Sequence, residues 1–456
     1  MSKKELEFKN DLPSGWAETL LENIVFILDN QRVPVSAVER TKRLEKCSNE
    51  NVVPYYGATG QAGVIDDYLF DEELILLGED GVPFYDNNKH KAYIINGKSW
   101  VNNHAHVLKS INPYVDSKYI LHYLNIFDYH GYVTGTTRLK LNQQSMKKIP
   151  IQLPTQNEQK RIVTKIEKLF SNLDNSDKYL LHLEKQLKRY RQSVLKSAFE
   201  GEITKEWREK NNIKFEWEFK KFYEIIKLID GDRGKNYPKQ TDYFNVGYCL
   251  YLSTKNVRPF GFNFDEQVYI TQEKHEMLRS GTLSVGDVVL TTRGTIGNVA
   301  YYDKNIPFPV VRINSGMLIL RIMNDVKLTA SFLMKYIQSP SFDTQRKEKV
   351  SGTAQPQLPV GTLKDFNIPL PNTFEEQLEI VNQIEKHFSI IDKLEAVVQQ
   401  SIKESKRLRQ SILKQAFEGK LVEQDPNDES ASVLLEKIAK AKEEYQKAQK
   451  KQARKK

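Results

Sequence analysis

Two cysteines, Cys47 and Cys249, are all that 456 residues contain. That is too few for a disulfide framework or a thiolate zinc site, and it suits a reducing cytoplasm. Long apolar runs are also missing: none approaches the ~18 residues of a membrane span. Met1-Ser-Lys-Lys-Glu leads into no apolar signal core. The expectation is a cytoplasmic protein with no membrane partner. The net charge of +9 is less of a signature than it looks, because Lys442–Lys456 carries +5 of it and leaves +4 elsewhere. Basicity alone is therefore a weak pointer to nucleic acid. At 28% charged, 39% hydrophobic and 10% aromatic residues, the chain is globular rather than disordered.

What the chain does have is a long repeat. Arg191-Gln-Ser-Val-Leu-Lys-Ser-Ala-Phe-Glu-Gly201 returns as Arg409-Gln-Ser-Ile-Leu-Lys-Gln-Ala-Phe-Glu-Gly419, and the offset holds back to Glu158 and Glu376 with half of the aligned positions identical. The period is far too long for a solenoid, so the chain is two copies of one large unit. An internal pseudo-dyad of this kind suits duplex DNA, which has matching two-fold character.

Each copy reads as a globular part followed by a long helix. Thr155-Gln-Asn-Glu158 and Thr373-Phe-Glu-Glu376 share the spacing of a capping box, in which hydroxyl and carboxylate satisfy orphan N–H groups reciprocally. Pro154 and Pro371 lie just upstream, and Gly201 and Gly419 supply left-handed stops. The apolar steps Ile162, Ile166, Leu169, Leu173, Leu180, Leu183, Leu187, Tyr190, Val194 alternate threes and fours, with Ser176 in the skipped place. The second helix gives Ile380, Ile384, His387, Ile391, Leu394, Val398, Ser401, Ser405, Leu408, Ile412. These are heptad seams, and the polar places in the second make the first its natural coiled-coil partner. The same runs also fit two helices each packed on its own domain.

The globular parts open alike, Trp16…Leu21…Ile24 against Trp217…Phe222…Ile225, and close alike, Val133-Thr-Gly-Thr136 against Val350-Ser-Gly-Thr353. Their interiors diverge and read as short strands with turns (51–57, 73–77, 286–294, 296–302) before helices at 117–125 and 330–338. The fold class is α+β. A further helix at 431–447 is charged on most faces and frays at its end.

No catalytic set survives inspection. Asn112-Pro-Tyr114 is one proline short of an adenine-methyltransferase loop and reads as a turn before a helix. Asp392 with Glu404-Ser-Lys406 mimics a nuclease set but lies on a long helix. Gly231-Asp-Arg-Gly234 and Gly294-Thr-Ile-Gly297 lack the Lys-Ser/Thr of a P-loop. His104-Ala-His106 has no third ligand at metal-site spacing and reads as a structural pair. Candidate DNA contacts cluster on turns instead. They are Tyr56, Thr59, Lys89, Asn102, Asn103, Thr136 and Arg138 in the first half, and Arg233, Lys235, Asn236, Arg293, Thr295, Thr353 and Gln355 in the second. Arg and Lys bridge guanine, Asn and Gln bridge adenine, and glycine N–H groups hold phosphate. For any one of these residues the alternative is a solvated turn.

Taken together, the phrases resemble one family over nearly the whole chain. They are Val53-Pro-Tyr-Tyr-Gly-Ala-Thr-Gly60, Gly78-Glu-Asp-Gly81, Trp100-Val-Asn-Asn-His-Ala-His-Val-Leu108, Gly286-Asp-Val-Val-Leu-Thr-Thr-Arg-Gly-Thr-Ile-Gly-Asn-Val299, Ser351-Gly-Thr-Ala-Gln-Pro-Gln-Leu358 and Ile368-Pro-Leu-Pro371. With the repeated helix starts and ends they are similar to the specificity subunits of type I restriction-modification systems. The resemblance implies a non-catalytic chain with two target-recognition domains, 1–154 and 215–371. It implies spacer helices at 155–201 and 372–419 pairing antiparallel, with a linker at 202–214 between the halves; a C-terminal helix and basic tail follow at 420–456. Implied partners are double-stranded DNA carrying a split, asymmetric site, two methyltransferase subunits that methylate adenine, and restriction subunits. S-adenosylmethionine, ATP and Mg would be held by those partners, and no cofactor by this chain. The basic tail is not required by the family pattern. A stand-alone DNA-binding or scaffold protein is the other reading.

Overall fold

The computed structural model describes residues 12–47, 52–259, 261–350 and 357–453. Its contacts divide the chain into two compact units: residues 181–399 form one continuous unit, and residues 1–180 join 400–456 in the other.

In the first unit, Val25–Ile27, Ala105–Ser110, Leu74–Gly78 and Ala92–Ile95 form, in that order, an antiparallel four-stranded sheet. Leu74–Gly78 is buried along its whole length, which is why it reads as a continuous apolar run rather than an alternation. A second sheet runs Gly60–Ile65, Val53–Gly57, Lys98–Val101, Phe70–Asp71, with a parallel pairing between Val53–Gly57 and Lys98–Val101. Ala17–Leu20 pairs with Pro150–Leu153 and brings the ends of the globular part together.

The second unit repeats this plan. Ile226–Asp230, Met317–Ile322, Val288–Thr291 and Val299–Tyr301 form a four-stranded sheet with the same antiparallel order. Cys249–Leu252 pairs in parallel with Val311–Ile313, and Glu218–Lys221 with Asn367–Leu370 closes the unit. The interiors diverge in sequence and keep the order of the four-stranded sheet and the parallel pair, although the second sheet has three strands here and four in the first unit; the shared part needs only apolar strands at matching places.

The long helices are Gln156–Phe199 and Phe374–Phe417. Gly201 at φ +80° and Gly419 at φ +68° end them. Only half of each capping box forms. Thr155 and Thr373 accept from the Glu158 and Glu376 N–H groups, both at 3.2 Å. The glutamates reach inward instead, accepting from Trp16 Nε1 (2.9 Å) and Trp217 Nε1 (3.2 Å). The burial of an indole N–H requires an acceptor, and that demand outranks the cap.

Within the first unit, Arg409 stacks over Phe170 (5.3 Å) and pairs with Asp174 (2.7 Å) and Asp177 (3.1 Å). Within the second, Arg191 stacks over Phe388 (4.4 Å) and pairs with Asp392 (2.5 Å) and Glu395 (3.2 Å). These are the same repeat positions with the roles exchanged. Buried seam positions include Ile162, Ile166, Leu187, Val194, Ile380, Ile384, Ile391 and Val398, while Leu169, Leu173 and Leu180 are half-buried. Three apolar seam expectations fail: Tyr190 (47%), Leu394 (46%) and Leu408 (50%) are exposed. In each case the next residue, Arg191, Glu395 or Arg409, turns inward to make the ion pairs just described. Arg191 lies eleven positions after Leu180 and Arg409 eleven after Val398, a spacing closer to a straight helix than to a strict heptad.

The C-terminal helix, Ala431–Ala453, corrects the expectation of a charged, fraying appendage. Leu434 and Ile438 are 1% exposed and lie in the first unit's core with Trp16, Ile24, Ile162 and Phe417. Lys442 Nζ donates to the carbonyls of Glu22 and Val25 at the end of the short helix Leu21–Ile24, and Tyr445 packs on Phe26 (4.1 Å). Only a narrow apolar face is needed, so the composition reads as charged.

Candidate nucleic-acid interface

In the first unit the turn Gly78–Gly81 is the centre of a polar cluster. Asp80 accepts from Arg138 Nη2 (2.9 Å) and His104 Nδ1 (3.0 Å). Burial pushes its carboxyl up, but those two partners outweigh burial and leave it below the usual range. Asn102 Oδ1 accepts the His104 N–H (2.8 Å), and the Asn102 N–H donates to Tyr56 O (3.0 Å). A Cβ on Gly78 would lie 3.0 Å from Ala58 O, so Thr59 is carried close to the same turn. Tyr56, Asn102 and Arg138 are thus brought together. Asn102 is buried with its amide engaged, whereas Asn103, Thr136 and Arg138 are exposed. Lys89 is exposed on a separate turn, closed by its N–H to Asp86 O (3.0 Å).

The cluster stands on a buried base. His106 points Nδ1 at Asp29 Oδ2 (2.7 Å) and Nε2 at the Leu141 carbonyl (2.9 Å). Both ring nitrogens are therefore engaged, one by a carboxylate and one by a backbone carbonyl. Burial raises the Asp29 carboxyl, and His106, the Val107 N–H and Gln143 more than reverse that. These contacts tie His106 into the fold at both ring nitrogens. Among the described residues no group of three or more His, Cys, Asp or Glu could hold a metal ion.

In the second unit the turn Asn314-Ser315-Gly316 gathers the candidates. Arg233 Nη2 donates to Ser315 O (3.3 Å), and the Arg293 N–H donates to Gly316 O (3.2 Å). Gly231 must be glycine, since a Cβ there would lie 2.1 Å from Asn314 O. Asn236 Nδ2 donates to Met277 O (3.2 Å), while Lys235 and Thr295 are exposed nearby in sequence to these turns. Thr353 and Gln355 lie outside the described residues. One residue escaped the sequence reading: Arg279, whose side chain is 78% exposed while its N–H is fixed by Asp232 Oδ2 (2.7 Å). Asp232 is held low first by the Gly234 N–H. The only sequence signal was an arginine beside Ser280-Gly281, with no glycine before it.

Both sites offer exposed guanidinium groups on fixed turns, the equipment for contacting base edges and phosphates. The model of the family described as the type I restriction modification DNA specificity domain matches twice, over residues 13–185 and 214–404. The chain belongs to that family. It is a specificity subunit, the non-catalytic component of type I restriction-modification systems, with two recognition domains in tandem. Specificity subunits of this family bind DNA and assemble with the other subunits of the system. The EcoDI specificity subunit of Escherichia coli is 25% identical over 408 residues, covering 86% of this chain and 89% of that one. The EcoBI subunit of the same species is 28% identical over 326 residues, 67% of each. Among solved structures, a chain from a type I R-M system studied for its assembly and conformational transition aligns with TM-score 0.67 at 16% identity. It covers 91% of this chain and all of the other. The HsdS subunit of Thermoanaerobacter tengcongensis aligns with TM-score 0.54 at 17% identity, with the same coverage. At those identities the structural likeness speaks for the fold. No helix among the described residues is long and apolar enough to cross a membrane.

Proposed function

We propose that this specificity subunit reads a bipartite, asymmetric duplex site, each recognition domain contacting one half through the turns described above. The observation that carries the proposal is that one four-stranded sheet order is kept twice while the polar turns beside it differ: Asp80, His104 and Arg138 in one unit, Arg233, Arg279 and Arg293 in the other. The long helices pair antiparallel as a coiled coil that spaces the two readers. The reciprocal arginine clusters at equivalent repeat positions support this. The subunit docks two adenine methyltransferase subunits and ATP-dependent restriction subunits in the cytoplasm. S-adenosylmethionine, ATP and Mg belong to those partners, and this chain holds no cofactor. Family membership disfavours the stand-alone scaffold reading.

Methylome sequencing of a host with and without the chain tests the proposal. The expected result is one split adenine-methylated motif that depends on it. Exchanging residues 12–150 for those of a related subunit should change one half of that motif. A change in both halves, or a continuous motif, overturns the two-reader arrangement.

A further inference from the structure

The repeated Glu-Gln at the start of each long helix makes contacts that helix capping does not require. Gln159 and Gln377 are fully buried. Gln159 Oε1 accepts the N–H of Asp116, the residue that caps the helix Ser117–Ile126 (2.9 Å). Its Nε2 donates to the carbonyls of Pro154 (3.3 Å) and Tyr114 (3.4 Å). In the other unit, Gln377 Oε1 accepts the N–H of Thr329, which caps Ala330–Ile337 (3.2 Å), and its Nε2 donates to Lys327 O (2.7 Å). Tyr114 and Lys327 each lie two residues before the cap. One amide therefore joins the start of a long helix to the start of a recognition-domain helix, in both units.

A second contact lies further along the same helix. His122 meets the edge of Phe170 (5.8 Å) and Lys335 lies over Phe388 (5.0 Å). Both are six residues past the cap, and Phe170 and Phe388 are repeat equivalents. A helix held at one point can pivot; a helix held at two has a fixed angle to the element holding it. Tyr123 and Tyr336 then tie it to the closing strands through their hydroxyls, donating to Pro150 O (2.6 Å) and Asn367 O.

We propose that Gln159 and Gln377 are positioning residues that set the angle of each recognition domain on its long helix, and so the spacer length that the subunit accepts between half-sites. This rests on the two-reader proposal above. A domain of this size has a radius of gyration of about 15 Å. A tilt of roughly 10–15° about the joint therefore carries its centre by about one base-pair step, ~3.4 Å. A buried amide satisfied at both ends resists such a tilt, whereas apolar packing alone tolerates sliding. The half-site sequence is untouched, because neither glutamine lies in the turns that face DNA.

The test is methylome sequencing of the complete complex carrying Gln159→Ala, Gln377→Ala, or the volume-preserving Gln159→Met and Gln377→Met. The quantity read is the ratio of methylation at spacers one base pair longer or shorter to that at the native spacer. That ratio is independent of how much complex folds. The expected result is unchanged half-sites and a ratio that rises severalfold in each variant, most in the double variants. A uniform fall at all spacings with the ratio unchanged overturns the proposal, since it marks the glutamines as supports of stability alone. Loss of methylation at every spacing in both the Ala and Met series overturns it equally. Failure of the two-reader proposal is seen separately, as a wild-type motif that is not split.

Discussion

Glu158 and Glu376 hold the same place in the two repeats, yet of the two only Glu376 has an ion pair. Arg208 Nη1 donates to Glu376 Oε1 (2.6 Å), with Thr204 alongside (3.0 Å). Glu158 Oε1 is buried without a hydrogen-bond partner, and burial raises its carboxyl despite the Trp16 N–H. The nearby acid, Asp428, collects Thr155, Asn157 and Arg161 instead.

Opposite responses to one substitution follow. A carboxyl raised by folding favours the folded state at low pH and loses that contribution as pH rises through its folded value. Glu158→Gln should therefore melt higher than the parent at pH 7–8, with the gain shrinking towards pH 4. Glu376→Gln strands a buried arginine and should cost about 3 kcal/mol at neutral pH. Unfolding midpoints across pH measure both, and a destabilised Glu158→Gln at pH 8 would contradict the account.

Arg191→Ala and Arg409→Ala each remove a ring stack and two ion pairs. Each should cost about 1–3 kcal/mol in denaturant unfolding. The two clusters lie in different units, so the losses should add. Lysine should not restore them, because a point charge cannot lie flat on Phe388 or Phe170 while bonding two carboxylates.

Arg279→Ala and Arg293→Ala should each weaken binding to target DNA by about 1–3 kcal/mol if the guanidinium reads a base. If the contact is to phosphate, the loss should be uniform across sequences and flatten the salt dependence. Titrations on target and non-target duplexes at two salt concentrations distinguish these outcomes. Unchanged binding removes the residue from the interface.

Leu434→Ala or Ile438→Ala opens a cavity in the first unit and should cost about 2–5 kcal/mol. Limited proteolysis should then cut within 1–180 while fragments from 181–399 persist.

The long helices were legible to within two residues of each end, because caps, glycine stops and apolar period all agreed on 155–201 and 372–419. The seam failed at Tyr190, Leu394 and Leu408, where counting apolar residues cannot see that a buried arginine will rotate the helix by one place. The central strands were read from their apolar runs, as at Leu74–Gly78, but the shared topology was hidden beneath divergent sequence. Arg138 and Arg233 stood out through neighbouring glycines. Arg279 also has a glycine nearby, Gly281, but the residue that fixes its turn, Asp232, lies far off in the chain. The inward turn of Asn102 is likewise a property of His104 and Tyr56, not of Asn102.

The second unit is one uninterrupted stretch of chain, while the first closes only with Leu434 and Ile438 in its core. Synthesis at roughly 5–20 residues per second separates the two events by a few seconds. The recognition domain made first on the ribosome is therefore the last to finish folding. Until then it waits with an apolar groove uncovered, and a chain released early by a premature stop would carry a complete second reader beside an unfinished first.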